Sequence, residues 1–95
     1  MEKKVDMKVD ESVATGQYSN IAAIRHSREE FIFDFAFLFP DAPPDAPAGK
    51  LVARIILSPA HAKRFLLALE DNIKKYEKDF GTIPIPEIPP LPGLH

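Results

Sequence analysis

The chain has 95 residues, 12 Lys+Arg against 14 Asp+Glu, and no cysteine. That length holds one domain and no second core. The slightly acidic balance gives no global electrostatic case for nucleic acid or an anionic membrane. The missing cysteine excludes disulfides, thiolate nucleophiles and Cys-based zinc sites.

The N-terminal stretch of residues 1–16 reads as an arm and a possible extra strand. In it Val5, Met7 and Val9 alternate with charged residues, the period of a half-buried strand. It lacks the apolar core of a secretory signal, and the run from Phe31 to Phe39 is too short, and too interrupted by Asp34, to cross a membrane. The expectation is a cytoplasmic protein.

Residues 17–82 form the predicted domain. Tyr18 to His26 is a first strand, apolar at Ile21, Ala22, Ala23 and Ile24. A turn at Ser27-Arg28 leads to a second strand, Glu30 to Phe39. There Phe31, Phe33, Phe35, Phe37 and Phe39 fall on one face, because strand side chains alternate. The Pro-rich stretch Pro40 to Gly49 is a loop, and Lys50 to Leu57 is a third strand. Pairing Asp34 with Arg54 places Phe31 opposite Leu57, Phe33 opposite Ile55, Phe37 opposite Leu51 and Phe39 opposite Gly49. The same treatment of the first hairpin puts Arg25 opposite Glu30 and Ile24 opposite Phe31. Leu51 then joins the Phe face and Val52 the other.

Ser58 suits a helix N-cap, Pro59 the first helical position and Gly81 the stop. Between them Ala62, Leu66, Leu69, Ile73 and Tyr76 repeat at helical spacing, widened by Phe65. Glu70 with Lys74 and Asp71 with Lys75 make favourable pairs one turn apart. Residues 83–95 are a Pro-rich extended tail suited to polyproline II. The predicted fold is therefore α+β: an antiparallel meander of three to four strands, followed by one long amphipathic helix. Both sheet faces are apolar and one helix covers one of them, so homo-oligomerisation completes the domain.

The residues Tyr18-Ser19-Asn20, Ser27 to Phe31, Asp34-Phe35, Arg54 to Arg64, Ala68-Leu69, Asn72-Ile73, Tyr76-Glu77 and Phe80-Gly81 form a combined pattern. It resembles a family of small bacterial and archaeal proteins catalogued only as a domain of unknown function. The resemblance spans roughly Tyr18 to Ile83, leaving the arm and tail outside. It implies a compact strand-strand-strand-helix unit and no established activity.

Candidate chemistry is sparse. The predicted pairing gathers Arg25, His26, Arg28, Glu29, Glu30, Ser58 and His61 at one sheet end. A helix N-terminus flanked by Arg and His can hold an anion or a partner, and a solvated hairpin tip is the ordinary form of such a cluster. His26 and His61 sit in no ligand spacing, so no metal and no cofactor is expected. His61, beside the apolar stripe, reads as partly buried and structural. Asp34 and Arg54 read as a register-fixing ion pair. Leu67, Ile85, Ile88 and Leu91 are candidate partner contacts, the last three as apolar residues of a pre-extended segment. No catalytic constellation appears, so no enzyme is expected. The functional expectation is a homo-oligomeric, adaptor-like protein-interaction module that binds itself and another protein. A dimeric nucleic-acid-binding or transcription-associated protein and a holdase-like chaperone are the alternatives.

Overall fold

A computed structural model describes residues 4–86. The elements are α1 (Glu11–Ala14), β1 (Ile21–His26), β2 (Phe31–Leu38), β3 (Gly49–Leu57) and α2 (Pro59–Phe80). The strands form one antiparallel sheet in the order β1-β2-β3. This is the expected α+β meander with a long C-terminal helix.

The β2–β3 hairpin begins in the expected register: Phe31 pairs with Leu57, Phe33 with Ile55 and Asp34 with Arg54. It then departs. A bulge at Phe35/Ala36 shifts the pairing, so Ala36 faces Leu51, Phe37 faces Lys50 and Leu38 faces Gly49. The expected Phe37–Leu51 and Phe39–Gly49 pairs are therefore wrong. A bulge adds one unpaired residue and re-aims the strand beyond it. It moves Leu51 to the face opposite the phenylalanines and leaves Val52 beside Tyr18 and Phe37. Gly49 permits the closure, because a Cβ there would meet the Phe37 carbonyl oxygen at 2.5 Å.

The first hairpin is also corrected. Arg25 pairs with Ile32, His26 with Phe31 and Ile24 with Phe33, two residues from the expected register. The turn centres on Arg28-Glu29, closed by the Ser27 amide donating to the Glu30 carbonyl at 2.9 Å. The Glu29 amide donates to Ser27 Oγ at 3.3 Å. A shift of two preserves which side chains share a face, so apolar alternation cannot separate the two registers.

The segment from Lys4 to Asp10 pairs with no strand; Val5, Met7 and Val9 are exposed, and a single turn of helix, α1, comes next. Period-2 alternation alone does not hold a strand without a neighbour to bond it.

Helix α2 has the expected bounds. Ser58 Oγ accepts the His61 amide at 3.2 Å, and Gly81 ends the helix at φ +95°. Its apolar stripe, however, is scarcely covered. Ala62 is its only buried residue, and Phe33 and Ile21 complete the buried apolar set among the described residues. The Phe65 ring meets Phe33 edge-on at 5.8 Å, fixing the helix start to the sheet; beyond it Leu66, Leu69, Ile73, Tyr76 and Phe80 are exposed. The expectation that α2 covers a whole sheet face thus fails beyond its first turns. The described chain extends 57 Å with a radius of gyration of 16.5 Å, against ~12 Å for a compact chain of this size.

Candidate functional site

Three groups of residues bear on function, and they lie apart. The first is an ion triad on the sheet face opposite the phenylalanines. Asp34 lies at the centre of β2, and the neighbouring strands carry Arg25 and Arg54 on its face. Arg54 Nε donates to Asp34 Oδ1 at 2.6 Å and Arg54 Nη2 to Oδ2 at 3.1 Å, a bidentate grip. Arg25 Nη1 donates to Oδ2 at 2.7 Å. The Asp34 side chain is 12% exposed while the two arginines are about half exposed. The Arg54 hydrogen bonds, aided by Arg25 and opposed by partial burial, draw the Asp34 carboxyl down to about 2. Asp34 in turn pushes Arg54 up. One acid thus cross-links all three strands, and chemically it is a locked carboxylate with no proton to exchange near neutral pH.

The sequence places Arg25 at the sheet end. The two-residue register change puts it in this triad instead, across the sheet from its neighbour His26. The second group is that sheet end without Arg25. His26 stacks on Phe31, ring centroids 5.3 Å apart at 24°. Arg28 occupies the turn, and Ser58 caps α2. His61, expected partly buried, is exposed, because it lies about 100° round the helix from its buried neighbour Ala62. Side chains of Arg28 and His61 make no hydrogen bond to this cluster among the described residues, so the structure assembles no anion cradle from it. Nor do those residues hold a group of three or more His, Cys, Asp or Glu placed to bind a metal.

The third group is apolar. Between α2 and the Phe face runs an open groove of about 520 Å³, bordered by Ile24, Phe31, Phe33, Ala62, Leu66 and Leu69. It continues along the helix as the uncovered stripe ending in Tyr76 and Phe80, whose rings lie 4.9 Å apart. On the outer helix face Lys74 pairs with Glu70 at 3.0 Å and Lys75 with Asp71 at 2.9 Å; the Glu70 contact pushes Lys74 up. Leu67 stands exposed, as does Ile85. Ile88 and Leu91 lie outside the described residues. The chain from Gly81 turns on Glu77, whose Oε2 accepts the Ile83 amide at 2.7 Å.

Sequence reasoning missed one structural device, the clip before β1. Asn20 grips the Leu38 backbone from both sides: Oδ1 accepts its amide at 2.8 Å and Nδ2 donates to its carbonyl at 3.1 Å. The Ser19 hydroxyl lies 2.9 Å from both the Ile21 and Ala36 carbonyls. Tyr18 packs edge-on against Phe37 at 6.1 Å. An Asn immediately ahead of an apolar strand run is the available signal, since its amide can imitate a backbone partner.

Fold and surface together define a small α+β domain: a triad-locked meander carrying a helix whose apolar stripe lies open. The chain belongs to the family described as "Protein of unknown function (DUF3467)", whose model matches residues 1–85. The match begins at residue 1 and so takes in the N-terminal arm that the sequence resemblance left outside. No curated protein and no solved structure matches the chain. No helix among the described residues is long and apolar enough to cross a membrane.

Proposed function

We propose that this protein is a homo-oligomeric protein-interaction module with no catalytic activity of its own. One observation carries the reading: a helix of 22 residues keeps a single buried side chain, Ala62, and leaves Leu66, Leu69, Tyr76 and Phe80 in solvent. Exposed apolar surface of that extent marks a binding surface in a soluble chain, and a helix with one apolar face is stabilised mainly by packing that face. Light scattering on the full chain tests the reading. The expected result is a defined oligomer at an integer multiple of the chain mass; a stable monomer at micromolar concentration ends it.

Surfaces away from the stripe then remain for other proteins, Leu67 and the apolar tail residue Ile85 foremost. Substituting both with serine should abolish a purified partner's binding while leaving the oligomer mass unchanged. The nucleic-acid reading finds less support, because Lys74 and Lys75 are already paired with Glu70 and Asp71. Salt-dependent retention on an oligonucleotide column would favour it.

A further inference from the structure

The buried Ala62 and the exposed apolar positions that follow it on α2 form a pattern that selects what covers them. Ala62, Leu66, Leu69, Ile73, Tyr76 and Phe80 are separated by four, three, four, three and four residues. This is the spacing of a coiled-coil seam, and it reads identically in either direction. An antiparallel second copy therefore matches it at every step: Ala62 meets the partner's Phe80, Leu66 the partner's Tyr76, and Leu69 the partner's Ile73. Each pairing recurs by symmetry, as a two-fold contact requires.

We propose that α2 pairs antiparallel with α2 of a second copy, and that the partner's Tyr76 and Phe80 fill the groove between this helix and this Phe face. The inference rests on the self-association reading above and specifies its geometry. The spacing is its first support, and side-chain size is the second. Ala62, the smallest residue of the stripe, lies at the groove wall, which leaves room opposite the bulky ring of Phe80. Phe80, 75% exposed, is otherwise the barest large apolar residue of the helix.

Charge agrees with the same alignment. Lys63 and Glu77 flank the stripe on one side, two heptads apart. Flanking residues of that side face each other across an antiparallel pair, bringing Lys63 of each copy to the partner's Glu77. In a parallel pair this flank faces the partner's opposite flank instead, bringing Lys63 to the partner's Ser58 and Glu77 to the partner's Asn72, with no opposite charges matched. Glu70, midway between them, meets its own counterpart at the two-fold axis, and each Glu70 is already neutralised by its Lys74 at 3.0 Å.

The area suffices as well. Phe65, Tyr76 and Phe80 are 41%, 51% and 75% exposed, which at ~200 Å² per aromatic side chain leaves on the order of 300 Å² to bury. Leu66, Leu69, Ile73 and Ile24, all exposed, raise this toward the ~800 Å² per partner of a standard interface.

The absence of native cysteine allows a direct test. Lys63→Cys and Glu77→Cys chains, lying beside the seam and outside it, are co-expressed and treated with a short bis-maleimide cross-linker. Co-expression should give covalent dimer joining the two variants, and each variant alone should give at least tenfold less. Efficient self-cross-linking of either variant alone would place two copies of the same residue together and overturn the proposal. A dimer by light scattering with no cross-link in any combination overturns it too, while leaving the self-association reading intact. A monomer removes both. As an independent check, Lys63→Glu should weaken the dimer at least threefold at low salt, and Lys63→Glu with Glu77→Lys should restore it. Failure of the double variant to recover puts those residues elsewhere.

Discussion

The sheet and the helix reach different degrees of completion within one chain. In the sheet, strand pairing is reinforced by side chains that imitate or bridge backbone: Asn20 on Leu38, Ser19 on Ala36, and Asp34 across all three strands. The helix is capped at Ser58 and Gly81, yet Ala62 is its only buried residue. Polar groups must be matched within reach, because an unmatched one costs more than a made bond returns. Apolar surface has no directional partner and can be covered by another chain. The polar half of the structure is closed within the chain, and the apolar half is left uncovered.

That contrast breaks most severely at Phe33, where the two halves meet. It is buried, it stacks toward Phe35 at 6.3 Å, and it is the residue Phe65 packs against. Phe33→Ala should cost about 3–5 kcal/mol, the usual range for a buried Phe. Against the ~5 kcal/mol at the low end of native domains, where so small a buried core places this chain, that leaves little or no cooperative transition in a urea titration followed by circular dichroism. A loss below about 1 kcal/mol would mean that the helix start is held by something other than this contact.

Asp34 probes the polar half through pH. Its folded value of about 2 lies below the ordinary 3.8, so the carboxylate favours the folded state. The stabilisation is present above the unfolded value and is lost as pH falls from about 4 through 2. The wild type should therefore lose urea resistance between pH 5 and pH 2.5 (roughly the window of that titration). Asp34→Asn should be weaker at pH 7, with Arg25 and Arg54 left unpaired, and markedly flatter across the window. Equal acid sensitivity in both would assign the effect to other carboxylates.

Asn20→Ala sharpens the sheet side further. It removes both bonds to Leu38 without touching an apolar contact, and should cost about 1–3 kcal/mol at two hydrogen bonds of ~0.5–1.5 each. Amide exchange gives the finer readout: the Leu38 amide should lose protection while the Ile32 amide keeps it. Uniform loss would mean that Asn20 supports the whole sheet.

Much of this fold is legible in the sequence, for identifiable reasons. The Ser58-Pro59 start and Gly81 stop of α2 are local signals that fold with little tertiary help. The Asp34–Arg54 pair fixes half of the β2–β3 register, because opposite charges inside apolar strands restrict the pairings. The other half is lost at Val52, since Leu51, Val52 and Ala53 are all apolar and a one-residue shift among them leaves no mark in the pattern. The first hairpin slips by two for the same lack of a parity signal, and with it Arg25 moves from the hairpin tip to the triad. Neither Asn20's grip on Leu38 nor the lift of α2 from the sheet has a periodic signature. Both depend on where the backbone arrives, which pattern reading supplies only after the register is known.

The smallest expected effect tests the outer face of the helix. Leu67 is exposed and lies off the seam, in the turn that carries Lys63 and Glu70. Leu67→Gln exchanges one good helix former for another at a solvated position, so stability should move by less than about 0.5 kcal/mol. The oligomer mass should stay the same over a dilution series, whereas Leu69→Gln, on the seam itself, should shift it toward monomer. If Leu67→Gln dissociates the oligomer as readily as Leu69→Gln, the apolar contact wraps further round α2 than two helices can reach. A third helix would then be needed to cover it, and the assembly would be larger than a dimer.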